Sequence, residues 1–541
     1  MNRSTKHALV MSFLALAPAL MAATVKDPPP QPRRPRGIYA DVGIDAEIKR
    51  NNWTKASSTQ LESDFKGLYK DLLGNPAVSG IVLYETWARL NPNPPTPSTG
   101  SSVSPIANQE PETMAKRVGP APLDPYDWTL IDDLFSEAAA WNSKNPTKAQ
   151  KTIQLVVTAG INSPSWVKNL LTSCDYMFQP PSGSPPPSSC GMVTFWGFGE
   201  GGDPPKGPVA QTLPMPWDPT YKSAWQTLLT AVAAKYESNP LFVSISVAGP
   251  TASSEEMMFP NDNNASNPQT QFGTPISPDD MWLALLKSQY SAVPANQYPG
   301  LTYQNSDQGF IDEWENAIDM YGKIFSGITL SISTGNSFPP LSKPPKGSPF
   351  PVPSGLTADC PDANMDCPAE TAIVAYFEDP TKGGNNAKSI QEDGLRGFSF
   401  KFIGNLGMSG IRLVSQATEF DPAPSGQILG GSQFGQSFSN PNQTEWEGCP
   451  DSTTCTISVE QAAYNALRAY FDETPVATVF GGTMSTAPLN YLQIFADDFQ
   501  YAEKNTGTTA TVSKTLGPMS AQDLLNLASE KLLEIGEPTL P

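Results

Sequence analysis

Histidine is almost missing. The chain has one, His7, in 541 residues, and it falls in a leader segment expected to be removed. A mature chain without imidazole has no Ser-His-Asp or Cys-His mechanism and no His-ligated metal. Acid–base work then falls to Asp, Glu, Tyr or Lys. Positive charge is scarce too: 34 Lys and Arg stand against 53 Asp and Glu, a net charge of −19. Nucleic acid is therefore not an expected partner, because phosphate binding needs a clustered basic surface. No Gly-x-Gly-x-x-Gly joins an early strand to a helix and no Gly-x-x-x-x-Gly-Lys-Ser/Thr occurs, so nucleotide binding has no support. No cofactor and no metal is expected.

Apolar runs long enough to span a bilayer are also lacking. Arg3 and Lys6 precede the apolar stretch Ala8 to Met21, which ends in the small residues Ala22-Ala23. That is the layout of a signal peptide, too short for a membrane span. Cleavage near Ala22 or Ala23 would leave a secreted or periplasmic chain, and no cysteine stands there to carry a lipid. The six cysteines fall in three local pairs, Cys174 with Cys190, Cys360 with Cys367 and Cys449 with Cys455. An even count in an exported chain suggests loop-closing disulfides, on proximity alone. Without His and without Cys-x-x-Cys, zinc has no ligand set.

What the chain does have is a repeating alternation. After the Pro-rich, basic linker of residues 24–36, residues 37–541 read as one domain. Strands are expected at Gly37 to Val42, Gly80 to Tyr84, Thr152 to Thr158, Val243 to Val247, Gly327 to Ile332, Phe398 to Ile403, Ile411 to Ser415 and Leu489 to Phe495, with Val476 to Phe480 competing for the last place. Helical spacing of apolar residues marks the segments between, as at Leu61, Phe65, Leu68, Tyr69, Leu72 and Leu73. Asp218-Pro219 reads as an N-cap with proline in the first turn. Ser520 and Asp523 form a capping box. The connection between the sixth and seventh strands is too short for a helix. Long loops follow strands and short turns precede them, which gives one functional face. Alternation of this kind favours a parallel sheet, and the expected fold is α/β, a (β/α)8 TIM barrel with long, disulfide-closed βα loops. A doubly wound sheet is the rival.

The stretch LFVSISVAGPTASSEEMMFP, Leu241 to Pro260, organises the functional reading. Its apolar run reads as a buried parallel strand, and the adjacent Glu255 and Glu256 follow at the end where a barrel keeps its chemistry. At most one of two adjacent side chains faces a given pocket, and Glu256 is the expected acid. Other strand ends offer Asp41, Glu85 and Glu419, the aromatics Trp87 and Trp166, and the amides Asn162, Asn336, Asn405 and Gln416. Glycosidic cleavage uses two carboxyl groups, and aromatic plates beside amides suit the apolar faces and polar rims of sugars.

Three stretches carry a resemblance: Ala159-Gly160-Ile161-Asn162-Ser163-Pro164-Ser165-Trp166, Gly249-Pro250-Thr251 through Glu256-Met257, and Gln416 to Glu419. In these the chain resembles the (β/α)8-barrel glycoside hydrolases called clan A, and within them bacterial relatives of β-galactosidase-like barrels. The resemblance implies Glu256 as acid/base, Glu419 as nucleophile and retention of configuration, with an oligo- or polysaccharide as partner. Asp41, Glu85, Trp87, Asn162, Trp166, Asn336, Asn405 and Gln416 would bind substrate. Clan members usually carry Asn directly before the acid/base, where Glu255 or, if Glu255 is the acid, Ser254 stands here. Two other classes remain: a carbohydrate-binding barrel without catalysis, and a structural envelope protein using the barrel as a scaffold.

Overall fold

The computed structural model describes residues 33–95, 125–174, 191–196, 210–251, 305–334, 386–393, 412–416 and 489–534, with scattered positions between 373 and 384 and between 458 and 467. The strands are β1 (Gly37–Gly43), β2 (Val78–Thr86), β3 (Thr152–Thr158), β4 (Ser173–Cys174), β5 (Met192–Trp196), β6 (Ala210–Pro214), β7 (Phe242–Ser246), β8 (Thr329–Thr334), β9 (Lys388–Asp393), β10 (Arg412–Gln416), β11 (Leu489–Phe495), β12 (Ala510–Ser513) and β13 (Gly517–Met519). The helices are α1 (Ile44–Arg50), α2 (Ser58–Gly74), α3 (Trp87–Leu90), α4 (Thr129–Lys144), α5 (Ser165–Lys168), α6 (Pro219–Tyr236), α7 (Asn305–Ile324), α8 (Ala496–Lys504) and α9 (Ala521–Glu534).

Eight strands close into a barrel in the order β1-β11-β10-β9-β8-β7-β3-β2. Every pairing in it is parallel. Parallel neighbours need a crossover, and the helices supply it on the outside. Strand alternation sorts the side chains. On β1, Ile38, Ala40 and Val42 pack against the helices, while Tyr39 joins Val82, Val156, Val243 and Tyr491 inside. Gly80 faces inward where a Cβ would lie 2.5 Å from the Tyr39 ring, so that position admits no larger residue beside the tyrosine.

The helices start where their caps say. Ser57 accepts from the Gln60 N–H, and α2 buries Phe65, Leu68, Tyr69, Leu72 and Leu73 on one stripe. Asp218 accepts from the N–H groups of Thr220 and Tyr221 at the head of α6, with Pro219 in the first turn. The Ser520 N–H donates to Asp523 Oδ2 at 3.1 Å, and the Asp523 N–H donates back to Ser520 Oγ at 3.2 Å. Together these close the capping box before α9.

Two expectations need correction. The sixth barrel strand is Lys388–Asp393, not Phe398 to Ile403. The run KSIQED has one apolar residue, Ile390, so it carries neither a continuous nor an alternating apolar signal. This placement leaves residues 394–411 between the sixth and seventh strands in place of a very short turn, which removes the helix-length difficulty. The linker, too, is not wholly outside the fold. Arg33 bridges to Ile328, its N–H donates to the Gly327 carbonyl at 3.2 Å, and its carbonyl accepts from Thr329 Oγ1 at 2.8 Å. The Arg33 guanidinium donates to the carbonyls of Glu237 and Asn239. The chain thus enters by strapping the start of β8 at the barrel's N-terminal end.

The loop after β3 holds a small sheet, β4-β5-β6, with a parallel and an antiparallel pairing. Of the cysteines, Cys174 alone lies on described backbone, in β4. The pairings expected for it and for the other five fall outside the described residues. No helix among the described residues is long and apolar enough to cross a membrane.

Candidate active site

The C-terminal ends of eight parallel strands meet at one mouth, and the candidate site is built from them. Asp41 shares the inward face of β1 with Tyr39 and is 7% exposed. Among the described side chains of the barrel strands it is the carboxylate on the inner face. Thr158 ends β3, and Asn162 in the following turn donates from Nδ2 to Thr158 Oγ1 at 3.1 Å. This bond ties the first turn of the β3 loop back to the strand. Trp166, half-buried in α5, donates from Nε1 to the Asn91 carbonyl at 2.9 Å, joining the loops after β2 and β3.

At β7 the strand gives way to Val247, Ala248, Gly249, Pro250 and Thr251, all described and mostly buried. The Ala248 N–H donates to Tyr321 Oη at 3.2 Å. Gly249 lies against the face of Trp314, where a Cβ would come within 2.6 Å of the ring. The segment Val247 to Thr251 that follows β7 is thereby held on α7. Glu255 and Glu256, and Glu419, Asn336 and Asn405, lie outside the described residues. Gln416 is the last residue of β10, and its backbone is level with Gln493 of β11 and Asp393 of β9.

Two expected site residues sit elsewhere. Trp87 is fully buried, packed among Trp166, Tyr221 and Trp225, and its Nε1 donates to Asn91 Oδ1 at 3.3 Å. It offers no face to a ligand and is a core residue. Glu85 alternates with Ile81 and Leu83, which face the helices, so it points out of the barrel and not into the mouth. It accepts from the Thr86 N–H at 2.7 Å and from Arg89 Nε at 3.1 Å. Burial pushes its carboxyl up to about 8, against the pull of Arg89 and the Thr86 N–H, with Asp45 and Asp127 adding to the rise. Arg89 also pairs with the exposed Asp45. This group is a hydrogen-bonded seal between β2 and the α1 and α3 segments, with the Arg89–Asp45 ion pair at its outer end.

The inner surface also holds residues that the sequence reading passed over. Gln154 and Gln493 meet inside the barrel at 3.5 Å. Each is a polar residue interrupting an apolar strand at an inward position, in TIQLVVT and LNYLQIF. That interruption was the available signal. Among the described residues no group of three or more His, Cys, Asp or Glu could hold a metal ion.

The strand pairing defines the class, a (β/α)8 barrel. No family model matches the chain, and no curated protein matches it. Among solved structures it is similar to the catalytic domain of β-amylase from Paenibacillus polymyxa, at 10% identity and TM-score 0.34 over 71% of this chain and 86% of that one. It is similar to β-galactosidase from the psychrophilic Marinomonas ef1, at 8% identity and TM-score 0.36 over 91% of this chain and 59% of that one. A third is endo-glycoceramidase II from Rhodococcus sp., at 10% identity and TM-score 0.33, covering 92% and 81%. The barrel assignment rests on the chain's own closed strand order.

Proposed function

We propose that the chain is an exported glycoside hydrolase that cleaves an O-glycosidic bond in an oligo- or polysaccharide. In this reading Glu256 protonates the leaving oxygen and Glu419 attacks the sugar, with retention of configuration. The observation that supports it is the barrel's closure. The segments carrying the two glutamates begin at Ser246 of β7 and Gln416 of β10, the fourth and seventh barrel strands in chain order. Because the strands are parallel, both segments start from the same end, where barrel enzymes keep their chemistry. Asp41, Asn162 and Trp166 at that end would contact the sugar, with Asn336, Asn405 and Gln416 supplying further amides. A retaining pair calls for carboxyls roughly 5–5.5 Å apart.

The test is turnover of a panel of aryl glycosides and polysaccharides by the full chain. Glu256→Gln and Glu419→Gln should each lower kcat by about 10²-fold or more, with product configuration retained in the parent. Full activity in either variant rejects that residue's role. Export is tested separately: the protein recovered outside the cytoplasm should begin near Thr24.

The residue before the expected acid, Glu255 or Ser254 where clan members usually carry Asn, favours a second reading, a carbohydrate-binding barrel without turnover. It predicts saccharide affinity that survives Glu256→Gln and no product from the parent on any substrate.

A further inference from the structure

The interior of this barrel is unevenly filled. One part holds Tyr39, Val82, Val156, Val243 and Tyr491. The inward register positions of β7, β8 and β9 hold instead Ser244, Ser246, Thr329, Ser331, Ser333 and Ser389, all buried. Barrel interiors are ordinarily packed by bulky branched side chains. Hydroxymethyl groups occupy much less volume and each brings a donor and acceptors.

Most of these hydroxyls are satisfied inside the protein. Ser246 and Ser331 share a bond at 3.0 Å. Ser389 Oγ and Tyr491 Oη lie 2.9 Å apart, and Thr329 Oγ1 donates to the Arg33 carbonyl at 2.8 Å. Ser244 Oγ and Gln154 Nε2 have no partner among the described residues, although the residues are 1% and 3% exposed. The two are register partners on adjacent strands, Gln154 on β3 and Ser244 on β7, and partners in a parallel pair share a face. Gln154 Oε1 already accepts from Gln493 Nε2, which holds the amide inside the barrel. Turning that amide over would set its Nε2 against the Gln493 Nε2 donor and leave Oε1 as the orphan, so it does not remove the orphan.

We propose that Gln154 Nε2 and Ser244 Oγ jointly hold an ordered internal water, a site independent of the sugar chemistry at the mouth. The chemistry of the donors selects water over an ion. Both groups are neutral, and the inward carboxylate of Asp41 stands two strands away in register, with Val82 between. A water accepts from the amide N–H and exchanges a bond with the hydroxyl, the arrangement that buried polar groups without protein partners generally adopt. It also lets the serine-lined part of the barrel, β7 to β9, stay packed without bulky side chains.

A high-resolution crystal structure of the full chain tests this directly. An ordered water should lie about 2.7–3.2 Å from both atoms. A direct Gln154–Ser244 bond, or a dry gap between them, overturns the proposal. Thermal unfolding gives a second readout with opposite signs. An orphaned dry hydroxyl is a burden, so its removal in Ser244→Ala would raise Tm, whereas a hydroxyl that anchors a water also serving Gln154 leaves the amide stranded when removed, and Tm falls. Oxygen-17 relaxation dispersion should count one fewer long-lived internal water in Ser244→Ala, and an unchanged count contradicts the site. The crystallographic measurement on the parent chain stands whether or not the variant folds.

Discussion

Arg89 Nε donates to Glu85 Oε1 at 3.1 Å, yet the pair does not hold the carboxyl in its ordinary range. Burial lifts the folded-state value to about 8 from 4.5. Between those values the folded chain keeps a proton that the unfolded chain has lost. Stability from this group is therefore full below about pH 4.5 and declines as pH rises toward 8. The loss reaches up to about 4 kcal/mol by the top of that window. Glu85→Gln removes the titration, so its unfolding free energy should fall less between pH 5 and 8 than that of the parent. Denaturant unfolding at several pH values checks this, and parallel profiles would count against the buried, protonated carboxyl.

Two glycines separate close packing from backbone freedom. Gly249→Ala drives a methyl into the Trp314 ring, with the nearest ring atom 2.6 Å from the new Cβ. A loss of about 1–3 kcal/mol is expected, as for overpacked cores. Gly67, inside α2, has nothing within 4 Å of its virtual Cβ. Gly67→Ala should gain about 0.5–1 kcal/mol, because alanine loses less entropy in a helix. Urea midpoints of the two variants should move in opposite directions.

The barrel was legible where a strand carried a run of β-branched and apolar residues. Thr152–Thr158 and Leu489–Phe495 match their expected limits at both ends. The caps at Asp218 and Ser520 were legible because each uses a local side-chain bond that needs no tertiary partner. Lys388–Asp393 was not, since a strand closing a barrel between paired neighbours can draw its stability from backbone bonds on both edges. The site was harder to read than the fold. Residue type at a strand end does not say which face the side chain takes. Alternation would have turned Glu85 outward and Gln154 inward. Trp87 begins α3 directly after β2, so it folds back beneath Trp166 and under Tyr221 and Trp225 instead of standing in the mouth.

That difference between the two tryptophans is measurable. Trp87→Ala empties a fully buried site and should cost about 3–5 kcal/mol of stability. Trp166 is half-buried and bonded through Nε1 to the Asn91 carbonyl. Under the proposed function, Trp166→Ala should weaken saccharide binding roughly tenfold, about 1.4 kcal/mol, with a smaller stability loss than Trp87→Ala. Equal stability losses with unchanged affinity would make Trp166 a core residue as well.

The last prediction concerns the opposite end of the barrel. Arg33 ties the incoming chain to Gly327 and Thr329, while its guanidinium spans the carbonyls of Glu237 and Asn239. Glu237 in turn accepts from the N–H groups of Ser326 and Gly327 at 2.6 and 3.0 Å. One side chain thus links the exit of α6 to the start of β8. Arg33→Ala leaves those carbonyls to water and frees the strap, a change worth about 1–3 kcal/mol for hydrogen bonds to a charged group. The loosening should be local, because segments at the rim of a fold open in small units before the whole domain unfolds. Amide exchange should therefore quicken at Gly327 through Leu330 and stay unchanged at Asp41 and Thr158 on the far rim. Uniform acceleration across the barrel would mean that the strap supports the whole fold and not its lower edge alone.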